Sequence, residues 1–276
     1  MTIRSVIHLA RLVAALALIL LAAKDGHVCA AESEQSQLVT QVNSPVSDIL
    51  QLTVQNSYAA TCYGPPGGQG NFLSLFAKVP IRSSEYFPFN QMTLLTVPTE
   101  ISRPGDPAGF GDIRLLDLVA FVSHPDLDIG IGPTFIFPTA SSSTTGQGKW
   151  QIGPSGGIVY TPGRWLFGTI IQNPISIGGD PGRPNANEMI LWPFVTYNLG
   201  KGWFLRSEPQ MVFDWVGNKQ FIPVNLGIGR VFNLGGQWMS AYIEPGWNTV
   251  SDGNLPQYSI AFGFAVVFPR FWHEFN

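Results

Sequence analysis

The stretch Tyr258-Ser259-Ile260-Ala261-Phe262-Gly263-Phe264-Ala265-Val266-Val267-Phe268 decides the fold. Tyr258, Ile260, Phe262, Phe264, Val266 and Phe268 make one large, aromatic set; Ser259, Ala261, Gly263, Ala265 and Val267 make a smaller one. Successive side chains of a strand point to opposite faces, so this period of two predicts a strand whose broad face meets an apolar medium. A strand crosses a bilayer in about 9 to 11 residues, whereas a helix needs about 20. The pattern recurs upstream. Over residues 203–215 the outer set is Trp203, Leu205, Ser207, Pro209, Met211, Phe213 and Trp215, and the inner set is Phe204, Arg206, Glu208, Gln210, Val212 and Asp214. Every charge falls on one parity. Ile129, Ile131, Pro133, Phe135 and Phe137 oppose Asp128, Gly130, Gly132 and Thr134, and Trp150, Ile152 and Ile158 oppose Gln151, Gly153, Ser155 and Gly157. In residues 71–82 and 187–197 both faces are apolar, and the register stays open.

Composition supports strands in a membrane. Only 12% of the 276 residues are charged, against roughly 25% in soluble domains, while 45% are hydrophobic. Nineteen Phe, eight Trp and seven Tyr exclude a disordered chain. Thirty Gly and 22 Pro exclude a helical one, since each interrupts helix hydrogen bonding or costs backbone entropy. A formal net charge of -3 offers no polybasic surface, so nucleic acid is not an expected partner.

Arg4 and Arg11 precede an apolar run from Leu12 to Ala23, followed by small residues at Cys29-Ala30-Ala31. This is the order of a secretory signal peptide, expected over residues 1–31 with cleavage after Ala30 or Ala31. Without Cys29, Cys62 is the one remaining cysteine, and no intramolecular disulfide forms. Residues 32–48 read as a periplasmic leader in which Leu38, Val39, Val42 and Val46 have the spacing of a short amphipathic helix. As a plug such a helix would gate access; as a leader it would do nothing, and the sequence does not choose.

Residues 49–276 read as twelve strands: 49–57, 70–82, 89–98, 112–122, 127–138, 149–160, 164–177, 187–197, 202–215, 220–231, 237–247 and 257–268. Short links at 83–88, 123–126, 161–163, 199–201 and 232–236 alternate with longer ones at 58–69, 99–111, 139–148, 178–186 and 248–256. Only the turn 216–219 is short where a long loop is due. Even strand number and alternating loop length are the plan of bacterial outer-membrane barrels, so the expected fold class is all-β, an antiparallel transmembrane β-barrel. A secreted β-sandwich shares the alternation but needs a charged outer surface that this chain lacks.

Little in the sequence points to catalysis. His124 lies in the turn Ser123-His124-Pro125-Asp126 and His273 in the tail, neither on a strand near a serine that would need a base. His124, Asp126 and Asp128 have a spacing that any polar turn supplies, and no His/Cys cluster suggests a metal. The glycine-rich pieces 65–70 and 178–182 lack a following Lys-Ser/Thr. No catalytic residue, metal or cofactor is expected. The inner parity carries the functional candidates: Arg114, Gln151, Gln172, Arg206, Glu208, Gln210, Asp214, Asn225, Tyr242 and Glu244. Either they pair and brace the wall, or they line a narrow path with aromatic side chains supplying apolar contacts. Trp165, Trp203, Trp215, Trp238, Trp247 and Trp272, near strand ends, read as interfacial girdles.

An ordered set of short motifs adds a resemblance. Asn43-Ser44-Pro45-Val46, Gln55-Asn56-Ser57-Tyr58, Val79-Pro80-Ile81, Gly109-Phe110-Gly111-Asp112-Ile113, Gly130-Ile131-Gly132-Pro133, Phe137-Pro138-Thr139-Ala140, residues 148–155, Asp214-Trp215 and residues 222–227 run along nearly the whole exported chain. Together they resemble the outer-membrane protein family of the meta-pathway of phenol degradation. The departures are Pro209, which removes a ladder donor within a strand, and a tail that continues past Phe268 to Asn276. The resemblance implies a cell outer-membrane barrel, channel or transporter, that passes or binds small hydrophobic or aromatic compounds, with membrane lipid and such a solute as partners. A structural or ligand-binding barrel without transport, or an outer-membrane enzyme, remains the alternative.

Overall fold

The computed structural model describes residues 29–63, 68–102, 108–250 and 255–269. The expected signal segment up to residue 28, Trp272 and His273 lie outside them. One helix, α1 (Cys29–Asn43), precedes the strands β1 (Leu50–Cys62), β2 (Gly70–Ile81), β3 (Asn90–Ser102), β4 (Ile113–His124), β5 (Leu127–Phe137), β6 (Lys149–Tyr160), β7 (Trp165–Gln172), β8 (Ile175–Gly179) and β9 (Glu188–Gly200). They are followed by β10 (Trp203–Ser207), β11 (Met211–Asp214), β12 (Lys219–Phe221), β13 (Pro223–Asn225), β14 (Gly227–Leu234), β15 (Gln237–Asn248) and β16 (Pro256–Phe268).

All sixteen segments belong to one antiparallel sheet that closes, because β10 pairs with β9 on one edge and β14 on the other. They compose twelve wall strands, nine continuous and three broken: β7 with β8, β10 with β11, and β12 with β13 and β14. Two of the breaks fall at prolines. Pro174 separates β7 from β8 and Pro209 separates β10 from β11, and a proline offers no N–H to the ladder.

The parities of residues 127–137, 150–160, 203–215 and 258–268 match the register. Val54 pairs with Phe264 and Leu52 with Val266 on the outer face, while Gln55 and Gly263 face inward. Ile131 is 60% exposed on the outside. Exposed Trp150, Trp215, Trp247 and Tyr258 lie toward the long-loop end; exposed Trp165, Phe167 and Tyr160 lie toward the short turns. Trp238 corrects the girdle: it pairs with Val267 and packs inside, against the core around α1.

Inward glycines make room for rings. Phe194, Phe204 and Tyr242 lie over Gly168, Gly229 and Gly263, their cross-strand partners, where a Cβ would clash with the ring. The two registers left open by sequence are defined in the structure. Phe72, Phe76 and Lys78 of β2, and Trp192, Phe194 and Thr196 of β9, turn inward. Both faces of β9 are apolar because part of the interior is apolar too: Leu116, Leu118, Val159, Leu166, Ile170 and Phe194 form a cluster that Val46, Leu94 and Trp192 extend.

The helix sits inside the barrel at the short-turn end. Leu38, Val39 and Val42 are buried against Ile49, Phe204, Val231, Tyr242 and Val267. Gln35 Nε2 donates to Val231 O at 2.8 Å, and Asn198 Nδ2 donates to Ser36 Oγ at 2.7 Å. Asn43 Nδ2 closes the last turn by donating to Val39 O at 2.8 Å.

Candidate functional site

Above the helix, toward the long loops, the barrel encloses a cavity of about 880 Å³. Val42, Asn43, Ser44 and Pro45 form its floor. One part of its wall is polar, with Gln51, Thr53, Gln55 and Ser57 alternating along β1; another is apolar, with Phe72, Phe76, Leu94, Leu116 and Trp192.

Of the ten candidates, Arg114, Gln172, Arg206, Glu208, Gln210, Asn225, Tyr242 and Glu244 line this cavity. Gln151 and Asp214 share their inward parity but lie off the cavity. Gln151 is 2% exposed and its amide bonds to Gln147 of the loop over residues 138–148, which bonds in turn to Glu188. Asp214 Oδ1 accepts from the N–H groups of Val216 and Gly217, at 3.0 and 2.8 Å, and so holds the tight turn into β12. Gln172 Oε1 accepts from Thr134 Oγ1 at 2.9 Å, and Arg114 faces Glu188. His124, expected in a turn, is instead the exposed last residue of β4, paired with Leu127.

Arg206 is the centre of a charge cluster. Its Nη2 lies 2.5 Å from Glu208 Oε2 and its Nε 3.1 Å from Glu244 Oε2. The guanidinium also stacks 3.9 Å from the centroid of Tyr242, whose hydroxyl donates to Gln55 Oε1 at 2.5 Å. Arg206 and Glu244 are only 9% and 5% exposed, so the desolvation of each charge is offset by its partners rather than by water. Lys78 is the fourth charge, within electrostatic reach of Glu208. Its ammonium donates to Gln41 O at 2.9 Å, Ser44 O at 2.8 Å and Ser47 Oγ at 2.8 Å, which ties the end of α1 and its linker to the wall.

The cluster stands beside a seam. Ser207 pairs with Val195 and Met211 with Leu191, which leaves residues 208–210 opposite 192–194, proline facing proline at 209 and 193. On the other edge Arg206 pairs with Gly227 and Val212 with Phe221, while β13 pairs only with β15. Among the described residues, 208–210 therefore have no ladder partner on either side. Side chains close the seam. Glu208 N–H donates to Asn225 Oδ1 and Glu244 Oε1, each at 3.0 Å, and Ser207 Oγ donates to Asn225 O at 2.7 Å.

Sequence reasoning missed Lys78, Gln55 and Trp192. Lys78 had a signal, being the one charge in β2, and Gln51, Thr53, Gln55 and Ser57 had theirs in plain alternation. Trp192 had none, since its neighbours on both parities are apolar.

No family model and no curated protein match this chain. Its fold is similar to that of solved outer-membrane barrels. An outer membrane channel from Pseudomonas putida F1 aligns with a TM-score of 0.57 at 12% identity, over 80% of this chain and 94% of that one. The NanC porin aligns with a TM-score of 0.50 at 11% identity, over 79% and 98%.

Proposed function

We propose that this chain is an outer-membrane channel for small hydrophobic or aromatic compounds, exported by residues 1–31, with its short turns in the periplasm. The observation that carries this reading is the cavity wall, in which Phe72, Phe76, Leu94, Leu116 and Trp192 offer apolar surface to a solute while the charges opposite them neutralise one another. A cavity of about 880 Å³ falls within the range of small-molecule sites. An apolar outer face with aromatic residues toward both ends suits a bilayer rather than water. Cleavage after Ala30 or Ala31 would trim only the first residues of α1 and leave Leu38, Val39 and Val42 in place. The likeness to the phenol meta-pathway family fits this solute class and remains part of the proposal.

The seam gives such a solute a way out. Unpaired backbone at bilayer depth is tolerated where it lines a cavity, and residues 208–210 lie halfway along their wall strand with the cavity behind them. Opening the seam breaks side-chain bonds and no ladder bonds. Gln210 and Pro223 are opposite in register, so Gln210→Cys with Pro223→Cys, in a Cys62→Ala background, should form a disulfide that zips the wall. Oxidation is expected to slow uptake of a phenol-like solute by liposomes carrying the folded barrel roughly tenfold, and dithiothreitol to restore it. Unchanged uptake after complete oxidation would remove the edge between residues 210 and 223 from the route and leave the edge facing residues 192–194. Folding is scored by heat-modifiable migration, and location by recovery in the outer-membrane fraction.

A binding barrel without transport is the second reading. It is favoured by the helix and its buried contacts in the short-turn end of the lumen.

A further inference from the structure

The outer face carries a second concavity that the channel reading does not use. It is a shallow groove of about 640 Å³ at the short-turn end, lined by Arg164, Leu199, Gly200, Lys201, Trp203 and Ile228. The local chain path builds it. Gly200, Lys201 and Gly202 all take positive φ, 93°, 50° and 77°, so β9 reverses into β10 in the fewest residues and Lys201 stands at the rim. Arg164 is brought beside it because its carbonyl accepts from Asn198 N at 2.9 Å. Trp203 forms a fixed side of the groove, with the Arg230 guanidinium 5.3 Å from its ring. Leu199 and Ile228 are 43% and 40% exposed on the barrel exterior. Trp165, its ring 4.5 Å from that of Tyr197, continues the same aromatic level.

Two exposed cations thus stand at the headgroup end of an apolar, aromatic trough, with no carboxylate among the described residues that line it. We propose that this groove binds one anionic phospholipid, its phosphodiester between Arg164 and Lys201 and an acyl chain along Leu199, Trp203 and Ile228. Charge complementarity selects an anionic over a zwitterionic headgroup, and the apolar length selects a lipid over free phosphate. The groove is on the wall and not in the lumen, so the site stands whether or not the barrel conducts.

Native mass spectrometry of the full exported chain, titrated with phosphatidylglycerol or phosphatidylcholine, tests this. The wild-type protein is expected to retain one phosphatidylglycerol in preference to phosphatidylcholine. Arg164→Gln should weaken that binding about fivefold, and Arg164→Gln with Lys201→Asn roughly 25-fold, at about a fivefold factor per interfacial cation. Asn is chosen at 201 because it tolerates positive φ. Arg164→Lys keeps the charge and should keep the preference. Equal retention of the two lipids by the wild type, unchanged phosphatidylglycerol binding in the single and double variants, or displacement by millimolar inorganic phosphate would each overturn the proposal. Variants are compared only after heat-modifiable migration shows them folded.

Discussion

Lys78→Met is expected to raise single-channel conductance several-fold in planar bilayers, by releasing the end of α1 from the wall. The ammonium donates to three acceptors on residues 41–47, and among the described residues the Gln41 and Ser44 carbonyls take no other side-chain donor except Ser47 Oγ, itself part of the same segment. Hydrogen bonds from a charged donor contribute roughly 1.5–3 kcal/mol each when both partners are otherwise dehydrated. Losing even two of the three would cost the docked state about 3 kcal/mol or more, which is on the order of a hundredfold in the docked-to-undocked ratio. Methionine keeps the length and the apolar stem, so the wall of β2 should stay intact. Lys78→Arg, which preserves a charged donor, should recover most of the low conductance. A thiol placed by Ser44→Cys in the Cys62→Ala background should become reactive when combined with Lys78→Met and stay protected otherwise. If conductance and thiol protection are both unchanged, the helix is held by the packing of Leu38, Val39 and Val42 with the Gln35 and Asn198 hydrogen bonds, and Lys78 is not its tether.

Arg206→Met should destabilise the folded barrel by about 3–5 kcal/mol, because it leaves Glu208 and Glu244 buried together without their shared cation. Urea unfolding from detergent micelles, followed by the heat-modifiable band, measures this. The triple change Arg206→Met, Glu208→Gln and Glu244→Gln should recover most of the loss, since neutral amides need no cation at this depth. A triple variant as unstable as the single one would mean that Arg206 acts through packing on Tyr242, with which its guanidinium stacks, and not through the carboxylates.

The contrast between what could and could not be read in the sequence follows from what each signal depends on. The aromatic face of residues 258–268 is legible because it meets an apolar medium on one side and small lumen-facing residues on the other, and that difference survives in composition. Arg206, Glu208, Tyr242 and Glu244 are legible for the same reason, as polar groups on the inward parity. Parity gives a face and not a height. Asp214 and Gln151 have the right face yet sit toward the long-loop end, one holding a turn and the other bonded to a loop residue. Trp238 has the strand-end position of a girdle residue but the inward parity of a core one. In β9 the signal disappears, because Phe194 and Trp192 face an interior as apolar as the exterior. Lys78 shows as an isolated charge, but its role depends on carbonyls more than thirty residues upstream that only the folded chain brings to it. Pro209 looks like a fault in a strand by itself. With Pro193 opposite and Pro223 nearby on the next wall strand, it marks a seam, which only the register reveals.

The proposed route carries small apolar solutes through this lumen. Uptake of a phenol-like solute by liposomes carrying the folded protein, with protein-free liposomes as background, is the deciding measurement. Uptake above background that rises with protein density and rises again in the Lys78→Met variant is the expected result. Uptake indistinguishable from protein-free liposomes, in both the wild type and that variant, would contradict it.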